Sequence, residues 1–356
     1  MKVKPARWEF GSEFHWTGLG TADATSSTSA WGSGACFTGS GRDALRVLLR
    51  HGKRNLDWSR VFVPSFLCQE VVAAIRDEGF EVMAYFDDPR AAVEVCAPAA
   101  HEVLVVVNTF GTRSRVDIDP ASSGGIIEDH THDPWSGWAM SSSASYCVAS
   151  LRKTLPIADG GVIWSPGGLP VPTAPRLSER HHLAAAMKHE GMLLKSLYLE
   201  GRHLAKPIFR DLFVKGEAEI ATAEVSGFHP VSAAVLDGFD VDSWRAKRKS
   251  NFDYLAAELA DCPGFDVLSG CTADCCPFSV VLVFEEPIER ERLRIGLIAR
   301  DIYPSVLWPL EQQAVPLPSE SVLLSRRVLS IHCDGRYEPS DLDRVVTVIR
   351  ELAAGC

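Results

Sequence analysis

The first half of the chain alternates two kinds of apolar pattern. Short runs with almost no polar interruption end abruptly in polar or turn residues. Arg60-Val61-Phe62-Val63 closes at Pro64, Phe80 to Phe86 at Asp87-Asp88-Pro89, and Val103 to Asn108 at Thr109-Phe110-Gly111. Gly125-Ile126-Ile127 closes at Glu128-Asp129, and Ala144 to Ala149 runs up to Ser150. Between them lie stretches with helical spacing, such as Ala44, Leu45, Val47, Leu48 and Leu49, then Val71, Val72, Ala74 and Ile75 before Gly79. Continuous apolar strands alternating with helices predict a mostly parallel sheet covered on both faces. In such sheets ligands gather outside the carboxyl ends of the strands. Four exits there carry polar or glycine residues: Pro64-Ser65-Phe66, Asn108 to Gly111, Asp129-His130-Thr131-His132, and the segment before Lys153.

The second half reads differently. Ser165 to Pro175 is a proline- and glycine-rich connector, and Ser178 to Leu199 has a long helical pattern. His229-Pro230 opens another helical stretch, followed by Trp244 to Leu259, where Arg245 and Arg248 read as a solvated face. From Gly264 the pattern becomes α+β, with strands at Phe265–Leu268, Phe278–Phe284 and Val328–His332 and helices at Ile288–Ala299 and Leu342–Leu352. Trp8 to Trp31 has no period. It reads as an irregular arm whose aromatics, Trp8, Phe10, Phe14 and Trp16, need cover from a partner subunit. The expected organisation is an arm at 1–36, a large domain at 37–240 and a smaller α+β domain at 241–356.

Composition narrows the function classes. Of 356 residues, 46% are hydrophobic and 23% charged, as in ordinary globular proteins. A net charge of −10 without a dense Lys/Arg run argues against a nucleic-acid surface. No apolar run approaches membrane-span or signal-peptide form, so a cytoplasmic protein is expected. The ten cysteines are scattered; Cys271, Cys275 and Cys276 cluster without a matching ligand group, and reduced thiols are expected.

Lys153 is the residue that most needs a reason. It follows a buried strand, and a buried ammonium is costly unless neutralised or paired. A desolvated lysine can lose its proton and form a Schiff base with an aldehyde; the bland reading is a surface lysine in a loop. Ser40-Gly41-Arg42 opens a helix, which suits a phosphate cradle or an ordinary N-cap by Ser40. Asp129 stands at a strand exit, where it is either a cofactor partner or a turn residue. His130, His132, Asp129 and Asp133 would make a metal set, but no second ligand cluster accompanies them and Lys153 would stay unexplained, so no metal is expected.

Together these segments resemble the fold-type I pyridoxal-phosphate enzymes, and among them the DegT/DnrJ sugar aminotransferase family. The resemblance rests on Ser40 to Leu45, Val63 to Phe66, Glu128-Asp129, Ser150 to Lys153 with Asp159-Gly160-Gly161, and Ser330 to Tyr337. It runs from about Phe37 to the end of the chain. It implies a large domain with a seven-stranded type of sheet, and a linking helix near Trp244–Leu259. Lys153 would carry pyridoxal 5'-phosphate as a Schiff base, and Asp129 would hold the pyridine nitrogen protonated. Ser150, Ser40, Gly41 and Arg42 would hold the phosphate, although the family usually has a small hydroxyl residue where Arg42 stands. His132 takes the place of a glutamine near the ring hydroxyl. Phe66 or Cys68 would face the ring. Arg336 would grip a substrate carboxylate, its alternative being a turn arginine paired with Asp334 or Glu338, and Tyr303 would line the substrate mouth. The implied activity is an aminotransferase moving an amino group from an amino-acid donor to a carbonyl acceptor, a keto-sugar nucleotide or another small keto compound, in a homodimer. A lyase, decarboxylase or racemase using the same cofactor, or an inactive binding protein of the same fold, are the alternatives.

Overall fold

The computed structural model describes residues 7–18, 27–116, 118, 123–268 and 275–354. β1 (Phe10–Gly11) lies in the arm, and β2 (Cys36–Thr38) leads into α1 (Gly41–Asn55). β3 (Arg60–Pro64), α2 (Gln69–Asp77), β4 (Glu81–Tyr85), β5 (Glu102–Val107) and β6 (Gly125–Asp129) follow. Then come a short α3 (Gly137–Met140), β7 (Tyr146–Ser150) and β8 (Gly161–Trp164). Seven of these strands form one sheet in the order β2-β8-β7-β6-β5-β3-β4. From β7 to β4 the strands are parallel, while β8 runs antiparallel to both β7 and β2. β5 is buried except at its first residue and β7 throughout, as continuous apolar runs require of strands covered on both faces. α1 buries Ala44, Leu45, Leu48 and Leu49 in a cluster shared with Val61, Val63, Val105 and Val148.

Past the sheet, α4 (Glu179–Leu199) and α5 (Lys206–Thr222) pack along each other. α6 (Pro230–Asp237) and α7 (Val241–Leu259) lead to a second module. It contains β9 (Phe265–Val267), β10 (Ser279–Phe284), α8 (Pro287–Ile298), β11 (Ile302–Tyr303), α9 (Ser319–Arg327), β12 (Val328–His332) and α10 (Pro339–Ala354). β10 lies between β12 and β9, antiparallel to both, and its inner residues join Leu255, Leu297, Val345 and Ile349 in a separate core. This is the α+β pattern expected of the C-terminal region.

Four features depart from expectation. The helix α5 occupies a stretch where the sequence pattern predicts no element. The arm does not wait for a partner: β1 pairs with β11, and Phe10 is buried with its ring 3.9 Å from that of Tyr337. The Trp8 indole donates to Asp341 (2.8 Å), and the Trp16 amide donates to Met192 O (3.0 Å). Residues 19–26 of the arm lie outside the described residues. Arg248 is 2% exposed rather than solvated, because its side chain lies between the buried Asp133 (3.6 Å) and Cys276. Its guanidinium meets Cys276 Sγ at 3.0 Å and Cys276 O at 3.2 Å, and Arg245 holds the buried Asp133 with two bonds of 3.1 Å. Finally, Cys275 is disulfide-bonded, against the reduced-thiol expectation, while Cys36, Cys68, Cys96, Cys147, Cys262, Cys276 and Cys333 are free; Cys271 lies outside the described residues.

Candidate active site

The carboxyl ends of β5, β6 and β7 open into a cavity of about 770 Å³ that Val107, Asp129 and Ser150 line. That volume lies within the usual range for small-molecule sites. The starts of α1 and α2, one face of α5, the arm and the second module complete its walls.

At the start of α1, Ser40 is a true N-cap. Its hydroxyl accepts from the Asp43 amide (3.1 Å) and donates to the Asp43 carboxylate (3.0 Å). That side chain is committed to the helix. The amides of Gly41 and Arg42, at the first two positions, have no intrahelical acceptor. Gly41 has no space for a side chain, since a Cβ there would stand 2.7 Å from Ser150 Cβ. The start of α1 thus abuts the end of β7, and the aligned peptide dipoles make this junction favourable for an anion. Arg42 gives one nitrogen to Glu70 (2.9 Å), while its Nη2 is buried with no hydrogen-bond partner.

Asp129 ends β6, and its carboxylate accepts from the Thr131 amide (2.8 Å). Burial pushes its carboxyl above the usual range, with the Thr131 bonds opposing. Thr131 Oγ1 accepts from the Ser150 amide (3.0 Å), which ties the β6 exit to the β7 exit. His132 is buried, and its Nδ1 accepts from the Phe110 amide (2.9 Å). This leaves the proton on Nε2. Burial, then the charges of Lys153 and Arg248, press its pKa down to about 3, so the ring is a neutral donor. The rings of Phe278 and Trp308 lie 4.7 and 5.6 Å from it.

Lys153 closes a single 3-10 turn directly after β7. Its side chain is exposed to the cavity yet sits deep in the molecule, and its amine has no hydrogen bond or ion pair among the described residues. The neighbouring Arg152 and then burial pull its pKa below the usual lysine value, with Glu217, Glu13 and Cys68 opposing.

Nine of the ten residues singled out from the sequence line this one cavity: Lys153, Asp129, His132, Ser150, Ser40, Gly41, Arg42, Arg336 and Tyr303. Phe66 does not. It is wholly buried between Phe110 and Trp308, and Leu67 and Cys68 reach the cavity instead. Arg336 lines the wall but with its fork occupied. It makes paired 2.8 Å bonds to Asp334 and reaches Glu13 O (3.0 Å) and Ser12 O (3.4 Å) on the arm. The turn pairing with Asp334 is therefore the arrangement present. Tyr303 OH accepts from Lys206 (2.7 Å) and donates to Asp301 (3.0 Å). The histidines do not share a site: His130 turns away to Glu128 (2.9 Å) and packs edge-on against Trp138. Among the described residues, Glu128, His130 and Cys147 form a buried group with ligand-type atoms within 4.8 Å of one another, but its histidine and carboxylate already bond each other.

Sequence reasoning missed Thr131, Arg152, Glu217 and Glu13, all cavity residues. Glu217 takes Arg152 Nη2 (2.6 Å) and Lys188 Nζ (2.7 Å) on its two oxygens. A signal for α5 existed: Pro207 near a helix start, then Phe209, Phe213 and Ile220 at helical spacing.

No family model matches the chain, and no curated protein matches it. Solved structures do. PseC of Helicobacter pylori, an aminotransferase involved in the biosynthesis of pseudoaminic acid, superposes with a TM-score of 0.65 at 12% identity, covering 98% of this chain and 100% of that one. A DegT DnrJ EryC1 StrS aminotransferase from Brucella abortus gives 0.60 at 16%, covering 90% and 86%. DesV of S. venezuelae, solved in complex with a ketimine intermediate, gives 0.56 at 19%, covering 90% and 84%. The strand order, the second module and these superpositions agree: the chain has the fold of the DegT/DnrJ-type fold-type I aminotransferases.

Proposed function

We propose that this protein is a pyridoxal-phosphate-dependent aminotransferase. One observation carries the reading: an unpartnered lysine amine and a strand-end aspartate share a cavity with a helix start whose arginine holds a buried, unpartnered nitrogen. These residues fit the cofactor. The Gly41 and Arg42 amides and Arg42 Nη2 would bind its phosphate, with Ser150 beside them. Asp129 would hold the proton on the ring nitrogen, and a cationic ring would supply the counter-charge that this buried carboxylate lacks. The His132 Nε2–H would donate to the ring hydroxyl. Lys153 would anchor the aldehyde and then move a proton at the substrate carbon. The cofactor, when bound, supplies the electron sink that makes that carbon acidic.

The donor would be an amino acid and the acceptor a keto-sugar nucleotide or similar polyhydroxy ketone. That acceptor is supported by the superposed structures, which include sugar aminotransferases. In this reading the enzyme works as a homodimer in the cytoplasm; among the described residues no helix is long and apolar enough to cross a membrane.

The test is an absorbance spectrum with pyridoxal phosphate, before and after borohydride, followed by peptide mapping. A visible band lost on reduction, with the label on Lys153, supports the reading. Conversion of the cofactor to its amine form by glutamate then identifies transamination. No band at any cofactor concentration would sink it.

A further inference from the structure

Lys153 faces the cavity beside a buried cation of its own turn. Arg152 and Lys188 converge on one carboxylate, Glu217 of α5, at 2.6 and 2.7 Å. Arg152 and Lys188 side chains are 12% and 4% exposed, so each depends on Glu217 for its counter-charge. Glu217 also lines the cavity, on the face of α5 that covers it. We propose that Glu217 is a positioning residue for Lys153: it neutralises Arg152, ties the lysine's turn to α4 and α5, and so sets how readily the amine sheds its proton. The idea rests on the aminotransferase reading only for its biological use, since the electrostatics belong to the protein alone.

The groups facing Lys153 come from several elements: Arg152 from its own turn, Glu217 from α5, Glu13 from the arm, Cys68 before α2, and Asp129 and His132 beyond β6. His132 is neutral, and Glu13 has no hydrogen bond from its carboxylate among the described residues and is exposed. Arg152 and Glu217 are therefore the opposed pair that a substitution can unbalance. Removing Glu217 leaves two unpaired cations near the amine, which disfavours its charged form. Removing Arg152 does the opposite.

The experiment follows the pH dependence of acetic anhydride labelling at Lys153 in the cofactor-free full chain, read by peptide mass spectrometry. Glu217→Gln is expected to move the Lys153 titration to lower pH, raising its labelling several-fold at a fixed pH below the titration. Arg152→Gln is expected to move it up, and the double variant to return toward wild type. A merely structural role would perturb both single variants in one direction. Unmoved titrations, or shifts of the same sign, would overturn the proposal. Should Glu217→Gln not fold, Arg152→Gln alone decides by whether the titration rises. Borohydride capture of pyridoxal phosphate by wild type is measured in parallel. Its failure would remove the aminotransferase reading while leaving the Lys153 titration interpretable.

Discussion

The inner and outer ends of the cavity are built on different plans. At the inner end, Asp129, Ser150 and Lys153 stand at or just past the ends of neighbouring strands, and Gly41 and Arg42 begin the helix that abuts them. Each is placed by its own element, and Arg42 Nη2 and the Lys153 amine have no partner among the described residues. At the outer end, the arm, α5 and the second module meet, and the buried charges there are paired: Arg336 with Asp334, Lys195 with Glu9, Lys206 with Glu9 and Tyr303. Unmatched polar groups await a ligand, while matched ones hold walls together. The contrast suggests that the inner end is chemistry and the outer end is architecture.

The largest expected effect breaks the inner end. Lys153→Ala should abolish covalent capture of pyridoxal phosphate and reduce turnover to background with unchanged circular dichroism. A variant that still turns over would refute the inner-end assignment.

Next comes the outer end. Arg336→Met strands the buried Asp334 carboxylate and frees the arm, so it should cost about 3 kcal/mol in denaturant unfolding. If Arg336 instead grips substrate, the same variant will keep its stability and raise the donor KM. Protonation gives a second view of the same pair. Burial tends to raise Asp334's pKa, but Arg336 outweighs it and holds it at about 2. Because the folded value is depressed, its contribution of about 2 kcal/mol is complete above pH ~4 and is lost as pH falls toward 2. Asp334→Asn should remove that part of the acid dependence.

A smaller effect tests the anion junction. Gly41→Ala pushes a methyl toward Ser150, at a cost of ~1–3 kcal/mol typical of overpacking. The loss should appear as weaker cofactor retention on dialysis, more than as a lower melting temperature. The smallest is Phe66→Leu, expected to cost about 1 kcal/mol of stability and leave the cofactor spectrum unchanged, since Phe66 is core and not wall.

Particular residues show how far the site was readable. Lys153 and Asp129 were found because each follows an uninterrupted apolar run, and a charge at such a place needs a reason. His132 takes its role from the family resemblance, in the place of a glutamine near the ring hydroxyl; only the fold shows that its ring and that of His130 face different surroundings. Between Phe66 and Cys68 the sequence leaves the choice open, because an aromatic at a strand exit can turn to either side; the fold buries Phe66 and brings Cys68 to the cavity. For Arg336 the sequence leaves two readings, a grip on a substrate carboxylate and a turn pairing with Asp334 or Glu338. Its Asp334 partner was visible two residues away, but its grip on Ser12 and Glu13 spans most of the chain. Glu217 carries no local mark at all, being one carboxylate among many until α5 folds over the cavity.

Local chemistry, then, determined the strand–helix alternation, the parallel sheet, the N-cap at Ser40 and the lysine and aspartate at the sheet's edge. Those features depend on periodicity and on neighbours a few residues apart, which a sequence displays directly. Tertiary structure alone decided that the arm closes on its own chain, that Arg248 is buried, that Arg336 is committed to Asp334, and that Glu217 balances the charge beside Lys153. Each of these depends on which partner reaches a charged or aromatic side chain across the fold, and burial makes that pairing decisive because an unpaired charge there is costly.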